Sequence, residues 1–329
     1  MPSSYVAANS SLTAQSHEIA GDTAHLGVRL QCPRCRSAIS GLDCLSCRFH
    51  LQNSSGIIDA LPSERAAHYA RFIEEYERIR AAEGRGGESE SFYLALPYTD
   101  ISGRNCKQWK IRARSYDCLM TRVLKPNFPK GGRRILDLGA GNCWMSFRLA
   151  TAGHRPFAVD LLTNNSDGLG AAEHYRKHLP ELFPRLRAEL AHLPFEDEQF
   201  DAVIFNASFH YAEDYKEALR EALRCVKVGG VIVISDTPWY SNEESGKQMI
   251  SERYSLFLNR YGTASNSIKS LEYLTDERLR ILEEELPIRW KTYSPRYGFR
   301  WAMRPFMAKL RNRREPSRFC IYVARRDAE

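Results

Sequence analysis

The chain lacks any long hydrophobic run, and its first 28 residues contain no lysine or arginine. No apolar segment approaches the roughly 20 residues that a helix needs to cross a bilayer, so no membrane span is predicted. Without a basic start and a continuous apolar block, a secretory signal is not expected either. Residues 1–30 are rich in Ser, Ala, Thr and Asn, and we predict that they form a disordered tail.

The composition is that of an ordinary globular protein. Of the 329 residues, 43% are hydrophobic and 26% are charged, which suits one large domain with an appendage, or two domains. The net charge of +7 is a mild bias toward anionic partners and identifies none of them. Four of the nine cysteines form paired C-x-x-C units, a pattern that favours the reducing cytoplasm over a secreted disulfide framework.

The sequence also lacks one glycine where a dinucleotide-binding turn would have it. Residues 133–150 read RRILDLGAGNCWMSFRLA, an apolar run ending near Asp137, then Gly139 and Gly141, then a helical pattern. The dinucleotide fingerprint needs a third glycine so that a pyrophosphate can approach the helix, but this chain has Trp144 there. The turn therefore favours an adenosine cofactor without phosphates, such as S-adenosylmethionine, over a dinucleotide. Asp160, about 20 residues further on, suits ribose hydroxyls in both cases.

Strands and helices alternate from residue 133 onward, and several apolar runs show no period-two alternation. Such runs are typical of a parallel sheet covered on both faces. We predict an α/β fold, a Rossmann-like seven-stranded, mostly parallel sheet with helices on both faces. Its strands are expected at residues 135–138, 157–160, 186–189, 202–205 and 231–235, and near 289–293 and 319–324.

Four motifs in this region resemble class I S-adenosylmethionine-dependent methyltransferases of the type 11 group. They are LDLGAGN, FAVDL, AELAHLPFEDEQFDAVIFNASFHY and LRCVKVGGVIVISD, in the order and spacing of that family. The resemblance covers roughly the last 200 residues and implies S-adenosylmethionine as cofactor. The cofactor-binding residues that it implies are Asp137, Gly139, Ala140, Gly141 and Asn142 in the turn, Asp160 and Leu161 at the ribose, Glu189 and Leu193 at the adenine, and Asn206 at the methionyl end.

Methyl transfer from a sulfonium needs mainly alignment and exclusion of water, and a base only if the acceptor carries a proton. His210 and Tyr211 follow the fourth strand of the predicted sheet, where ligands gather, so they are the candidate catalytic residues. Packing over the cofactor is the alternative role for His210. After Asn206 the chain lacks the Pro-Pro-aromatic motif of adenine and amide N-methyltransferases that this fold resembles, which argues against DNA adenine methylation.

A second motif, C-x2-C-x8-C-x2-C, comprises Cys32, Cys35, Cys44 and Cys47. Two tight knuckles of this kind present four thiolates to one tetrahedral ion, which predicts a closed structural zinc site; reduced thiols or a disulfide pair are the alternatives. The module resembles the zinc ribbon of bacterial ribosomal-RNA guanine methyltransferases. Arg34, Arg36 and Arg48 flank the knuckles and are either phosphate contacts or solvated charges.

The chain divides into the tail, a zinc ribbon at 31–62, a helical linker and cofactor cap at 63–130, and a methyltransferase domain at 131–329. A helix predicted at residues 107–124 places Tyr98, Trp109, Arg112 and Arg114 as candidate substrate-side residues. A helical insertion at about 238–286 suggests a substrate lid. The segment after Pro287 interleaves aromatic and basic residues: it either grips RNA or anionic lipid, or packs Trp301, Phe306 and Leu310 on the sheet, and we favour packing.

The sequence therefore predicts a cytoplasmic S-adenosylmethionine-dependent methyltransferase that acts on a small molecule. One alternative is an RNA base methyltransferase that grips RNA with the ribbon and the basic C-terminal segment. Another alternative is a scaffold that binds the cofactor and transfers nothing.

Overall fold

A computed structural model describes residues 26–87 and 89–327, and one mixed sheet runs through them. Its strand order is β1-β2-β5-β4-β3-β6-β7-β9-β8. The strands are β1 Gln52–Ser54, β2 Ile57–Asp59, β3 Arg134–Leu138, β4 Arg155–Asp160, β5 Arg185–Arg187, β6 Phe200–Asn206, β7 Val226–Ser235, β8 Lys291–Tyr293 and β9 Ile321–Arg325. The α-helices are α1 Ser63–Ala82, α2 Glu90–Ala95, α3 Cys106–Cys118, α4 Lys125–Asn127, α5 Trp144–Thr151, α6 Tyr215–Cys225, α7 Glu243–Tyr261, α8 Asp276–Glu285, α9 Phe299–Ala302 and α10 Arg304–Leu310.

The predicted parallel sheet is confirmed, with two strands more than expected. Strands β3 to β7 are parallel, and β9 lies antiparallel between β7 and β8. The hairpin β1–β2, which follows the cysteine segment, adds to the edge because β2 pairs in parallel with β5. An edge strand has unpaired N–H and C=O groups, and β2 satisfies those of β5.

The centre of the sheet is apolar on both faces, as expected for buried parallel strands. Leu136 of β3 and Val203 of β6 belong to the core on one face, while Ile135 and Ile204 belong to the core on the other. The chain crosses from β3 to β4 on one side and later to β6 on the other side. Ligands bind at such a switch point, outside the carboxyl ends of the strands.

The cysteine segment is attached to the sheet domain by ion pairs and by buried residues. Arg34 pairs with Glu64 of α1 at 2.7 Å, and Arg36 pairs with Glu221 of α6 at 2.6 Å. Residues 1–25 of the predicted tail lie outside the described residues. Within the rest of that tail, Leu26, Val28 and Leu30 are buried in the same core as β3 and β6.

The helices before the sheet lie close to their predicted positions. The helix predicted at 107–124 is α3, which continues through a π-helical segment, Leu119–Leu124, into α4. In the insertion, α7 and α8 are the helices. In the described part of the chain, no helix has the length and hydropathy to cross a membrane.

The packing prediction for the C-terminal segment is wrong for two of its three residues. Trp301 packs against Tyr297 and Phe319, with ring centroids 4.9 and 5.9 Å apart. Phe306 and Leu310 are instead 55% and 65% exposed. The cause is the short helix α10, which has no buried residue and therefore keeps these side chains off the sheet.

Candidate active site

Two adjoining cavities open at the carboxyl ends of β3, β4 and β6. The first, here called the turn cavity, is lined by the glycine turn, the end of β4, the loop after β6 and one face of α1. The second, the arginine cavity, has a volume of about 240 Å³ and is lined by α1, α3, α7 and the loops after β6 and β7. The residues that line both are Tyr76, Arg80, Arg112, Ala207 and Tyr211.

The glycine turn after β3 passes very close to the loop after β6. Gly139 has φ +71°, and a Cβ added to it would lie 2.2 Å from the Cβ of Ser208. Gly141, with φ +53°, has more room, because the nearest atom to an added Cβ is 3.6 Å away. Both backbones adopt the left-handed conformation that glycine tolerates, and only Gly139 also needs a missing side chain. Ala140 and Asn142 complete this side of the turn cavity.

Asp137 lies beneath the turn and is not among the residues that line the cavity. Its Oδ2 accepts a hydrogen bond of 2.7 Å from the hydroxyl of Ser146 in α5, while Oδ1 has no partner in the described residues. Burial raises the pKa of Asp137 to about 7. This carboxyl group therefore connects β3 to α5 from behind the turn.

Asp160 ends β4 and faces the turn cavity. Its two oxygens accept backbone hydrogen bonds from Gly141, at 2.7 Å, and from Leu162, at 2.8 Å. Burial raises the pKa of Asp160 to about 6, although these two hydrogen bonds act in the opposite direction. Each carboxylate oxygen has further lone pairs for ligand hydroxyls. Leu161, the next residue, also lines the cavity.

Glu189 and Leu193, which the resemblance assigns to the adenine side, do not line either cavity. The carboxylate of Glu189 accepts hydrogen bonds of 2.8 and 2.6 Å from the guanidinium of Arg65 and one of 2.9 Å from the hydroxyl of Tyr69. Burial alone would raise the pKa of Glu189, but the hydrogen bonds from His192 and Arg65 lower it to about 2. Leu193 is buried in the core.

The cavity wall at this point comes instead from the neighbours of Glu189. Ala188 and Leu190 line the turn cavity. Both residues flank Glu189 directly after β5; they face the cavity, whereas Glu189 faces Arg65 and Tyr69 of α1. Phe72 of α1 also lines the turn cavity. The helical spacing of Phe72 and Tyr76 predicts a buried face, but no sequence signal shows that the face covers this cavity.

The loop after β6 brings three predicted residues to the cavities. Asn206 lines the turn cavity, His210 lines the arginine cavity, and Tyr211 lines both. His210 Nδ1 is buried without a hydrogen-bond partner in the described residues, and burial lowers the pKa of this imidazole to about 4. Burial also raises the pKa of Tyr211 well above its usual value, so its phenol stays protonated.

The candidate substrate-side residues separate into two groups. Arg112 lines both cavities, and Trp109 packs edge-to-face against Trp144 with centroids 6.0 Å apart. Tyr98 is 51% exposed and donates to Asp117, and Arg114 is also exposed. Only Arg112 among the four therefore faces the two cavities.

The structure adds residues that sequence reasoning missed. Asp167 pairs with Arg80 at 3.0 Å in the wall of the turn cavity. Asp236, directly after β7, lines the arginine cavity, as do Arg253 and Phe257 of α7. The position of Asp236 after an apolar strand was a usable signal, since carboxyl ends of parallel strands meet at one edge. Two residues of α7, in the insertion predicted as a substrate lid, therefore line the arginine cavity.

The four paired cysteines form a separate candidate metal centre. Their sulfur atoms all lie within 4.8 Å of one another. Cys32 and Cys47 are 3.5 Å apart, and Cys35 and Cys44 are 3.4 Å apart. Four thiolates at about 2.3 Å from a tetrahedral zinc ion are about 3.8 Å apart, so the donor set and its spacing fit zinc.

The two knuckles that hold these cysteines have the same backbone geometry. The N–H of Arg36 donates to Cys32 O and the N–H of Arg48 donates to Cys44 O, both at 2.9 Å. Arg36 and Arg48 both have positive φ, +63° and +60°. This repeated turn aims each pair of sulfur atoms at a common point.

The strand order and the glycine turn agree with the predicted resemblance to class I S-adenosylmethionine-dependent methyltransferases. Residues 136–234, less than a third of the chain, match the family described as "Methyltransferase domain". The N-terminal and C-terminal parts lie outside the match.

Similar proteins carry related names. A demethylmenaquinone methyltransferase from Clavibacter sepedonicus is 34% identical over 33% of this chain and 42% of its own length. A ubiquinone/menaquinone biosynthesis C-methyltransferase from Ruegeria sp. (strain TM1040) is 30% identical over 39% of this chain and 50% of its own. The chain thus spans half or less of these relatives. A methyltransferase structure from Mesorhizobium loti has 19% identity and a TM-score of 0.42, covering 62% of this chain and 96% of that one.

The close approach of the turn to the loop after β6 makes a stability prediction. Replacing Gly139 by Ala puts a methyl group 2.2 Å from Ser208 Cβ, so we expect a loss of about 2–4 kcal/mol in the free energy of unfolding. Gly141→Ala is the matched control. It introduces no close contact, so only the strain of an alanine at positive φ should lower the free energy of unfolding, by about 1–2 kcal/mol. Urea unfolding measures both values.

The double variant Gly139→Ala/Ser208→Gly checks the cause. It removes the second Cβ, so part of the lost stability should return, and the two substitutions should be coupled in a double-mutant cycle. Equal costs for Gly139→Ala and Gly141→Ala, with no coupling to Ser208, would contradict the assigned contact.

Proposed function

We propose that the chain is an S-adenosylmethionine-dependent methyltransferase that methylates a small molecule. The single observation that carries this proposal is the adjacency of the two cavities. The turn cavity has the glycine turn and the carboxylate that a nucleoside cofactor needs, and the arginine cavity adjoins it along five shared residues. Two ligands bound there meet without diffusing, which converts a bimolecular reaction into one between positioned groups.

The turn cavity offers suitable groups for each part of the cofactor. We assign the ribose hydroxyls to the carboxylate of Asp160, the adenine to the apolar wall of Leu161 and Leu190, and the methionyl end to the turn from Gly139 to Asn142 and to Asn206. When bound, the cofactor supplies an electrophilic methyl group. Glu189 and Leu193 are left out of this assignment because they lie outside the cavity.

The protein's own residues supply positioning and, for a protic acceptor, a proton acceptor. Tyr76 and Tyr211 line both cavities, with ring centroids 5.5 Å apart, and we assign them the role of excluding water from the junction. His210 is the proposed proton acceptor, because its lowered pKa keeps the imidazole neutral at pH 7 and its Nδ1 has no competing partner in the described residues. Tyr211 stays a neutral phenol in the wall.

A small acceptor fits this site better than RNA. The arginine cavity, about 240 Å³, is smaller than the roughly 300–1,000 Å³ of a drug-sized ligand site, so it suits a small acceptor only. An RNA-binding ribbon would use its arginines to contact phosphates. Here Arg34 forms an ion pair with Glu64, and Arg36 forms one with Glu221. The related proteins named above are likewise called methyltransferases of quinone biosynthesis.

We also propose that Cys32, Cys35, Cys44 and Cys47 bind one structural zinc ion. Four sulfur ligands fill a tetrahedral site and leave no position for substrate, so the ion stabilises the ribbon without taking part in the reaction. A reducing compartment such as the cytoplasm would keep these thiols available.

The reaction class is tested by methyl-label transfer. We expect methyl-labelled S-adenosylmethionine to label low-molecular-weight compounds of a cell extract, with or without ribonuclease. Label in a ribonuclease-sensitive fraction, or no label with an intact fold, would contradict the proposal.

The assignment of Asp160 predicts pH-dependent cofactor binding. In the free protein its pKa is about 6, and hydroxyl donors favour the ionised carboxylate, so the pKa falls in the complex. The affinity for S-adenosylhomocysteine should therefore be constant above about pH 6.5 and fall by up to about tenfold per pH unit below pH 6. Isothermal titration calorimetry at several pH values measures this.

Two variants provide the comparison. Asp160→Asn should bind about tenfold to a hundredfold more weakly at pH 7 and lose the pH dependence. Asp201→Asn, which changes a carboxylate of β6 outside both cavities, should bind like the wild type. Wild-type affinity in Asp160→Asn would refute the ribose assignment.

His210→Gln tests the proton acceptor. For an O–H or N–H acceptor, the turnover of label should fall by about a hundredfold or more, since general-base catalysis contributes this much. Affinity for S-adenosylhomocysteine should change by less than about threefold. With S-adenosylmethionine kept at saturation at every pH, turnover in the wild type should not drop between pH 8 and 5.5, because a group with a pKa of about 4 stays neutral there. Unchanged turnover in His210→Gln would assign the residue to packing.

Metal analysis tests the zinc proposal. We expect about one zinc ion per chain and, after removal by a chelator, a fall in the thermal midpoint of ~5 °C or more. Cys44→Ser should lose the ion, whereas Cys106→Ser, an exposed cysteine outside the cluster, should keep it. Zinc retained at full occupancy in Cys44→Ser would overturn the assignment.

A further inference from the structure

Several buried polar atoms in the wall of the arginine cavity have no hydrogen-bond partner among the described residues. They are Arg85 Nη1, Gln108 Oε1, His210 Nδ1, Asp236 Oδ2 and Arg253 Nε. None of these five residues lines the turn cavity. Buried polar atoms are nearly always paired in folded proteins, so these atoms need partners from water or from a ligand, and the charges around the cavity decide which ligand would suit it.

The charges around this cavity leave one cation without a carboxylate. Three of its four arginines have ion pairs: Arg80 with Asp167, Arg85 with Glu83 at 2.7 Å, and Arg253 with Glu272. The fourth, Arg112, has no ion pair and no hydrogen bond within residues 26–87 and 89–327. Its guanidinium lies over the ring of Trp109, 4.9 Å from the centroid, which fixes the group and leaves its N–H donors free.

Neighbouring groups do not neutralise Arg112. Asp236 is an acid that lines the same cavity, but the hydroxyl of Ser115 donates a hydrogen bond to one of its oxygens. Burial also raises the pKa of this carboxyl group. Arg80 and Arg85 add further positive charge nearby, and burial together with these cations lowers the pKa of Arg112 to about 10. The guanidinium is still charged at neutral pH, and an unpaired charge in this half-buried position is costly.

We propose that the methyl acceptor carries an anionic group, a carboxylate or a phosphate, that binds to Arg112 in the arginine cavity. This inference rests on the proposed function. A guanidinium presents a planar fork of N–H donors that matches either anion, and Arg85 Nη1 and Arg253 Nε are further free donors in the same wall. A neutral apolar acceptor would leave Arg112 unpaired.

Two unpaired hydrogen-bond acceptor atoms of the protein indicate what the other end of the methyl acceptor carries. His210 Nδ1 and Asp236 Oδ2 can accept hydrogen bonds but have no partner in the described residues, and both residues line the same cavity. A hydroxyl or amine of the acceptor satisfies these atoms while its acid group satisfies the arginines. The acceptor class is therefore a small acid that also bears an O–H or N–H group.

Matched pairs of acid and neutral compounds test the proposal. Binding of benzoate and benzamide, and of phenyl phosphate and phenol, is measured by ligand-observed NMR and calorimetry. The protein is first saturated with S-adenosylhomocysteine, so that the carboxylate of the cofactor product is already bound and the added acid reports only on the remaining anion site. We expect the wild type to bind at least one acid about tenfold or more tightly than its neutral partner. The pair with the larger preference for the acid shows whether the site binds a carboxylate or a phosphate.

The variants Arg112→Gln and Arg114→Gln complete the test. Both residues lie on α3, but Arg114 is exposed and outside the cavities, so it is the matched control. Arg112→Gln should abolish the preference for the acid, and Arg114→Gln should keep it. Equal binding of acid and neutral compounds by the wild type, or an unchanged preference in Arg112→Gln, would overturn the proposal.

The result also separates this inference from the proposed function. Affinity for S-adenosylhomocysteine should stay within about threefold in both variants. A loss of that affinity in Arg112→Gln, without loss of the acid preference, would assign Arg112 to the cofactor and overturn the inference. Failure of the wild type to bind S-adenosylhomocysteine would refute the proposed function, while the same acid and neutral pairs on the unsaturated protein would still test the anion site.

Discussion

The site depends on how closely two strand ends approach each other at the switch point of the sheet. The turn after β3 and the loop after β6 touch through Gly139 and Ser208, with no space for one more carbon atom. Because β3 and β6 pair in parallel, this contact brings the glycine turn beside the loop that carries Asn206, His210 and Tyr211.

Ion pairs set which faces of the surrounding segments are available for binding. Glu189 is occupied by Arg65 and Tyr69, so it holds α1 over the carboxyl edge of the sheet and takes no part in the cavity wall. Arg80 and Arg253 are held by Asp167 and Glu272 in the same way. Arg112 is the exception, because it lines the cavity from α3 and forms no ion pair with an acid of the described residues.

Much of the fold follows from patterns in the sequence. Apolar runs without alternation predicted the five parallel strands within a few residues, since a strand buried on both faces needs no polar side. The turn between residues 139 and 141 and the carboxylate of Asp160 were also found, because each follows an apolar strand directly. The exposure of Phe306 and Leu310 was not found, because aromatic and aliphatic residues at helical spacing look the same whether or not another surface covers them.

By itself, the sequence determined the order of the strands and helices, the glycine turn and the paired cysteines. These features depend on local chemistry: backbone freedom at glycine, apolar runs along a strand, and thiols at knuckle spacing. Only the tertiary structure decided that Glu189 faces α1 while Ala188 and Leu190 face the cavity, that Asp236 and Arg253 meet in one wall, and that Arg112 lacks a partner. The first fact depends on which side chains of a segment point toward the cavity. The other two depend on charged residues that are far apart in the sequence, and no local sequence pattern encodes either property.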